Sequence, residues 1–304
     1  MVRAFEKVGG ADLAWIVDPE PEARAMAAAI APRARQASHI AEALDDVQAV
    51  AVCTPARSHF DHLLPLLEAG KSALVEKPIA MRLEDAARLA RAKLPDATLL
   101  AGHQLLYHPA FVALSDRVSS GALGKLSLVR TDRSGFLDRL REPGVLWSYG
   151  PHDVAMILAL TGQEPCDIRA KARPTGSGEG TERIDLGLGF SSGARAEIHL
   201  ASTQGQRRRR LVAVCEGGTL IFDDAREQGK LLFFDGPPHR IPGIEIPVSD
   251  EEPLARECAH FLACLLGEEE PITGIGHAIA VTRVLDAAAA CLASTEVKPI
   301  SSAC

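Results

Sequence analysis

The seven cysteines of this 304-residue sequence include no C-x-x-C pair, and their odd number leaves at least one outside any disulfide. The chain does not open with a signal peptide, and no apolar run of membrane-spanning length stands out. A reduced, cytoplasmic protein without a membrane partner is therefore expected. Excess positive charge is missing as well. The 40 acidic and 33 basic side chains give a formal net charge of -7, which repels nucleic acid and anionic membranes at long range. One basic run, Arg207-Arg208-Arg209-Arg210, leads straight into an apolar stretch and reads as a solvated strand entry. His59 and His62 share helical spacing but lack a third ligand nearby, so no metal is expected. There is no repeat of fixed period and no low-complexity segment beyond Ala-rich helices.

What is present is globular: 47% hydrophobic and 24% charged residues, in a chain long enough for two domains. Up to residue 102, apolar strands (13–17, 47–53, 72–75, 98–102) alternate with helical stretches (19–30, 58–69, 83–92). Continuous apolar strands separated by helices predict an α/β, doubly wound parallel sheet covered on both faces, of the dinucleotide-binding kind. Such a sheet binds ligands beyond the carboxyl ends of its strands. After residue 104 the period changes. Helices are expected at 109–120, 151–160, 254–266 and 277–293, and alternating strands at 126–133, 184–190, 194–201 and 211–214. Alternation with period two predicts a large, mainly antiparallel sheet. The expected domains are a dinucleotide-binding unit at 1–104 and an α+β substrate and oligomerisation unit at 105–304.

The strand ends carry the candidate chemistry. Asp18 follows the strand at 13–17, where a carboxylate accepts hydrogen bonds from an adenosine ribose and disfavours a 2′-phosphate; ordinary turn chemistry is the plainer alternative. Thr54-Pro55 ends the next strand, and Glu76-Lys77-Pro78 ends the one after it. A structural salt bridge is the plainer account of Glu76 and Lys77. In the second half, Pro151 is expected to open a helix, placing His152 and Asp153 in its first turn. There the helix dipole favours an anionic Asp153 and a neutral His152, although such a pair more often caps or packs.

Taken in order, T-P-x-x-x-H (Thr54 to His59), E-K-P, G-H-Q-x-L-Y-H-P (Gly102 to Pro109) and G-P-H-D resemble the Gfo/Idh/MocA oxidoreductase family over about residues 1–293. The resemblance implies an NAD cofactor, with Asp18, Thr54, Pro55, His59, Glu76, Lys77 and Gln104 as its contacts. It implies Lys77 as the acid/base beside the nicotinamide, where the cofactor's positive charge should lower its pKa, and His152 as the second catalytic group across the cleft. Oxidising a secondary alcohol fits that pair, because hydride leaves carbon while a base takes the hydroxyl proton. The stretches "GHQLLYHPAF", "LWSYGPHDV" and "RRRLVAVCEGGTLIFDD" are similar to the branch that oxidises C3 of UDP-N-acetylglucosamine or its uronic acid. Many family members have Asp four positions before the motif histidine; here it is Ser148, which agrees with the nucleotide-sugar branch and argues against an Asp-assisted polyol mechanism. A free-sugar or inositol dehydrogenase stays open. Substrate contacts implied are Lys77, Tyr107, Arg133, Arg141, Trp147, Ser148, His152 and Asp153. The two arginines match a diphosphate or a uronate carboxylate, with surface solvation the alternative for each. The resemblance also implies a homo-oligomer, dimer or tetramer, acting on a small-molecule substrate.

One expected piece is missing: no strand followed by G-x-G-x-x-G occurs. Residues 1–8 read as the latter part of a first helix, with Gly9-Gly10 as its stop. The expectation is that roughly 15 residues, a strand and its phosphate loop, are absent, through a start assigned too late. The competing reading is a shortened, non-catalytic relative.

Overall fold

The computed structural model describes residues 1–135, 143–173, 182–202, 207–236, 238 and 241–294. Helix α1 (Val2–Val8) stops at Gly9 and Gly10, whose φ of 70° and 77° are left-handed values that favour glycine. Next come β1 (Trp15–Val17), α2 (Pro21–Ala28), β2 (Arg35–Ala37), β3 (Ala49–Val52), α3 (His59–Glu68), β4 (Ser72–Glu76), α4 (Leu83–Ala92) and β5 (Leu99–Gly102). Every pairing among these strands is parallel, as the apolar runs predict. The strands fall into two sheets, β1-β2 and β3-β4-β5, with no ladder joining β1 to β3 among the described residues. The small sheet is fixed at Trp15. Arg35 lies 4.0 Å over its ring and bonds Asp46 at 2.8 Å, and the indole N–H donates to the same carboxylate at 3.3 Å.

Strand β4 explains why an apolar run is tolerated here. Its period-two faces are both buried: Ala73 and Val75 pack with Leu63, Leu66 and Leu89 of α3 and α4, while Leu74 packs with Phe5 and Phe261. Phe261 belongs to α7 (Pro253–Leu265), close to the end of the chain in sequence yet seated on the first sheet beside α1.

The second half contains α5 (Pro109–Ser119), β6 (Leu126–Gly135), α6 (Val145–Thr161), β7 (Asp167–Arg173), β8 (Glu182–Gly189), β9 (Arg195–Ser202), β10 (Arg208–Cys215), β11 (Gly218–Asp223), β12 (Leu231–Phe234), β13 (Ile244–Glu245) and finally α8 (Ile275–Ala293). Its eight strands run in the order β13-β12-β11-β10-β6-β9-β8-β7. All neighbours are antiparallel except β6 and β9. The basic run is, as expected, the largely exposed entry to a strand, β10, with Arg208 on Asp132 and Arg209 on Asp224, both at 3.1 Å.

Two expectations need correction. Helix α6 begins at Val145, so Pro151 sits inside it and does not open it. Helix α8 is also, by length and mean hydropathy (19 residues, 1.4), apolar enough to cross a membrane. The Ala-rich composition reaches that value despite Arg283 and Asp286. In this fold α8 packs on α4, α6 and β7, burying Val281, Val284 and Leu285.

The α6–α8 contact depends on Gly150: a Cβ there would lie 2.8 Å from Cδ2 of the fully buried Leu285. Gly150→Val is expected to lower unfolding free energy by about 1–3 kcal/mol through overpacking, read by denaturant titration. The loss should be smaller in a Leu285→Ala background, where the obstructing methyls are gone.

Candidate active site

The parallel register Val52↔Val75 brings the ends of β3 and β4 side by side. The loops beyond them border a cavity of about 150 Å³, lined by Thr54, Pro55, His59, Glu76 and Lys77 from the first half and by Pro143 and Trp147 from the second. The buried His59 ring ties the two loops together, with Nδ1 2.7 Å from the Pro78 carbonyl and Nε2 2.7 Å from that of Thr54. His62, by contrast, is exposed. The Thr54 hydroxyl is buried and has no hydrogen-bond partner.

Lys77 crosses the cleft. Its Nζ donates to the backbone carbonyl of Ser148 at 2.9 Å, on the turn of α6 that precedes Pro151. Proline offers no N–H to the carbonyl four residues back, here Trp147, and its ring crowds that turn. The lysine reaches α6 at the carbonyl next along the chain.

One turn further on, His152 has an imidazole pKa well below the ordinary value, from burial first and then from the charges of Lys77, Arg133 and Arg209 and from His103. Its neutrality matches the sequence-based expectation, but the cause does not. His152 is in the middle of α6, so the helix dipole is not the reason. Asp153, at 1% exposure, is gripped by Arg133 through Nε–Oδ2 at 2.7 Å and Nη2–Oδ1 at 3.2 Å. Burial pushes its carboxyl up, and the guanidinium pulls the other way. Arg133 is thereby occupied by a protein carboxylate.

Other candidates lie apart from the cavity. The Asp18 carboxylate accepts from the backbone N–H of Glu20 at 2.8 Å, the turn role also foreseen for it. Gln104 heads a 3-10 turn that ends in Tyr107. The Tyr107 hydroxyl is 3.3 Å from Thr273 Oγ1, and its ring is 5.4 Å from that of His260, in a buried site that raises its pKa. Arg141 lies outside the described residues.

Three groups near Lys77 and Glu76 escaped the sequence reasoning. His103 and His277 stack edge to face, 5.5 Å between ring centroids, each with a buried ring nitrogen lacking a partner. Glu257 on α7 is 1% exposed with both carboxyl oxygens unpartnered. Burial, then the charge of Glu76, hold its pKa well above the ordinary range. For His103 the G-H-Q motif was a signal, although no role attached to that position; for His277 and Glu257, far along the chain, no local pattern existed.

Profiles of two families match. The Gfo/Idh/MocA "oxidoreductase family, NAD-binding Rossmann fold" covers residues 2–96, and the "GFO/IDH/MocA C-terminal domain" covers 111–221. An inositol 2-dehydrogenase of Rhizobium meliloti is 29% identical over 211 residues, covering 65% of this chain and 64% of that protein. A UDP-N-acetylglucosamine 3-dehydrogenase of Acidithiobacillus ferrooxidans is 33% identical over 159 residues, covering 52% and 50%. The matched stretches thus span about half to two thirds of these relatives. An aldose-aldose oxidoreductase structure from Caulobacter crescentus superposes with a TM-score of 0.84 at 22% identity, covering 98% of this chain and 95% of that one, a likeness of fold.

Two outcomes test the electrostatics. Removing one partner of a buried ion pair leaves an uncompensated charge, so Asp153→Ala should cost about 3–5 kcal/mol, while Asp153→Leu with Arg133→Met should cost less; thermal and denaturant unfolding measure both. His103 and His152 bind a proton less readily folded than unfolded. Below the ordinary histidine value of about 6.5 the unfolded chain therefore holds more protons, and stability falls as pH drops, by up to about 1.4 kcal/mol per unit for each ring. Above it, their contribution is flat. Denaturation between pH 7.5 and 5 should show this slope, reduced in His103→Phe.

Proposed function

Because the chain belongs to the Gfo/Idh/MocA oxidoreductase family, we propose that it uses NAD to oxidise a secondary hydroxyl of a sugar, with Lys77 and His152 handling the hydroxyl proton. The observation that carries this reading is the lysine at a strand end of the first half, fixed onto the Ser148 carbonyl of α6, one turn before a neutral histidine.

The residues present fit the two ends of the cofactor. Asp18, which follows β1, is the candidate partner of the adenosine ribose, and the cavity with the unpartnered Thr54 hydroxyl and Glu76 suits the polar nicotinamide end. For the diphosphate between them, residues 1–104 hold no G-x-G-x-x-G turn. When bound, NAD+ supplies the hydride acceptor. The protein's part is proton chemistry. A neutral His152 ring accepts the hydroxyl proton, and the Lys77 charge stabilises the negative charge that develops on oxygen. Trp147 and Pro143 line the cavity from the second half. Arg133, by gripping Asp153, fixes the residue next to His152 and so the ring's direction.

The finer reading is oxidation at C3 of a UDP-N-acetylhexosamine or its uronate. Ser148 in place of Asp and the relative that is a UDP-N-acetylglucosamine 3-dehydrogenase support it. A second reading, a free sugar or inositol, gains from Arg133, whose own fork is taken by Asp153, and from the inositol 2-dehydrogenase relative.

NADH formation with UDP-N-acetylglucosamine, its uronic acid, myo-inositol and glucose separates these readings. Calorimetry with NAD+ separates all of them from a non-catalytic family member. Lys77→Met and His152→Ala are each expected to slow oxidation by about 10²–10⁴-fold while NAD+ affinity changes little. Unchanged rates in both variants would refute the assignment.

A further inference from the structure

We propose that Arg209 and Lys230 form a subsite for a negatively charged group of the substrate, a carboxylate or a phosphate. The inference rests on the dehydrogenase reading and narrows it to sugars that carry such a charge.

Strand register places the first of the two. Arg209 of β10 stands directly opposite Arg133 of β6. Residues so paired lie about 4.5–5.5 Å apart at Cα, with their side chains on one face of the sheet. That face is the one towards α6, because Arg133 uses it to reach Asp153 at 2.7 Å, and Asp153 adjoins His152. Leu211 and Ala213, two and four residues further along β10 and so on the same face, are buried in one core with Val154 and Ile157 of α6. Arg209 is therefore the cation next to the one that grips the neighbour of His152, and its charge is among those that keep His152 neutral. Arg208 alternates to the other face, where it meets Asp132.

The surroundings leave positive charge over. Asp224, just after β11, accepts from Arg209 Nη1 at 3.1 Å and from Lys230 Nζ at 3.4 Å. His108 Nε2 lies 3.4 Å from the same carboxylate. Its Nδ1 accepts the Ala110 N–H at 3.1 Å, so the ring proton is on Nε2 and faces Asp224. One carboxylate thus serves two cations and an imidazole N–H. Arg133 and Asp153 balance each other, so within this group one positive charge has no opposite.

Donors remain as well. Among the described residues Arg209 uses one of its five side-chain N–H groups on the protein, and Lys230 one of its three. Their side chains are 38% and 31% exposed, whereas Asp224 is 15% and His108 6%. The inner carboxylate holds the two cations in place while their outer donors face solvent. An arginine fork beside an ammonium matches the oxygens of a carboxylate or phosphate. With a net charge of -7 the whole chain repels such a substrate at long range, so its recognition needs a local site of this sign.

The test uses two pairs of compounds that differ in charge, glucuronate against glucose and UDP-N-acetylglucosamine against N-acetylglucosamine, with NAD+ in excess. Wild type should favour the charged member of at least one pair by about tenfold or more in kcat/KM. Preference in the first pair identifies a carboxylate, and in the second a diphosphate. That preference should fall about tenfold in Arg209→Gln and in Lys230→Gln, fall less in Arg209→Lys, and persist in Arg208→Gln on the opposite face. A purely structural ion-pair cluster would instead lower both members of a pair alike. Equal losses within a pair, an undiminished preference in both variants, or a wild type that favours neutral sugars, myo-inositol included, overturns the subsite. If wild type oxidises none of these compounds, the dehydrogenase reading fails, and calorimetry with glucuronate and with UDP decides the subsite by itself. Binding about tenfold weaker in Arg209→Gln but not in Arg208→Gln upholds it; no binding, or equal binding in all three chains, overturns it.

Discussion

The 2.9 Å bond from Lys77 Nζ to the Ser148 carbonyl is the contact around which the cleft is arranged. It joins a strand end of the parallel sheet to the one helix of the second half that carries His152, and it does so through backbone, which cannot rotate away as a side chain can. Pro151 matters because it sits within α6 rather than at its start. A proline in a helix interior takes a donor out of the ladder, and at that turn the helix receives a lysine from another part of the chain. The pairing of Lys77 with α6 also bears on charge, since this cation adds to burial in keeping His152 neutral.

The second half holds its own side of the cleft with a different kind of force. Asp153 and Arg133 are both buried and bonded at two points. A pair of this kind adds little net stability, because desolvation offsets the attraction, yet losing one partner is costly. It acts as a geometric fixture, joining α6 to β6 directly beside His152. A related network lies further along the sheet, where Asp224 meets His108, Arg209 and Lys230. Burial works to raise the Asp224 pKa, but the His108 and Arg209 bonds and charges outweigh it and hold the carboxyl well below its usual range. Arg133, which looks in sequence like a ligand fork, and Arg208 and Arg209 of the basic run are in this way bound to the protein's own carboxylates.

The parallel sheet shows how far a few strands can be carried by their surroundings. A two-stranded pair is marginal alone, and β1-β2 depends on the Trp15, Arg35 and Asp46 cluster for its place. The three-stranded sheet is sandwiched instead. Helices α3 and α4 cover one face, and α1 with the distant α7 cover the other. Helix α8 then reaches from the first sheet to α6, so the last part of the sequence sets the spacing between the halves that form the cleft.

By itself the sequence determined what depends on short-range pattern. Unbroken apolar runs gave parallel strands, buried in β4 and β5, alternation gave the large sheet, and Gly9-Gly10 gave a helix stop, because each reflects a period or a backbone preference a few residues long. The ordered motifs pointed to Lys77 and His152, and the fold ties the lysine to the helix that carries the histidine. Only the tertiary structure decided what depends on neighbours distant in the chain. Pro151 has the same local signature at a helix start as inside one, so the true start of α6 was hidden, and with it the reason His152 is neutral. Arg133 and Tyr107 look like ligand contacts until Asp153 and Thr273 are placed against them. His103 and His277, 174 positions apart in numbering, meet only because β5 and the turn before α8 hydrogen-bond. Local periodicity records which face of an element is buried; it does not record which polar group stands opposite, and that opposition determines charge and reactivity.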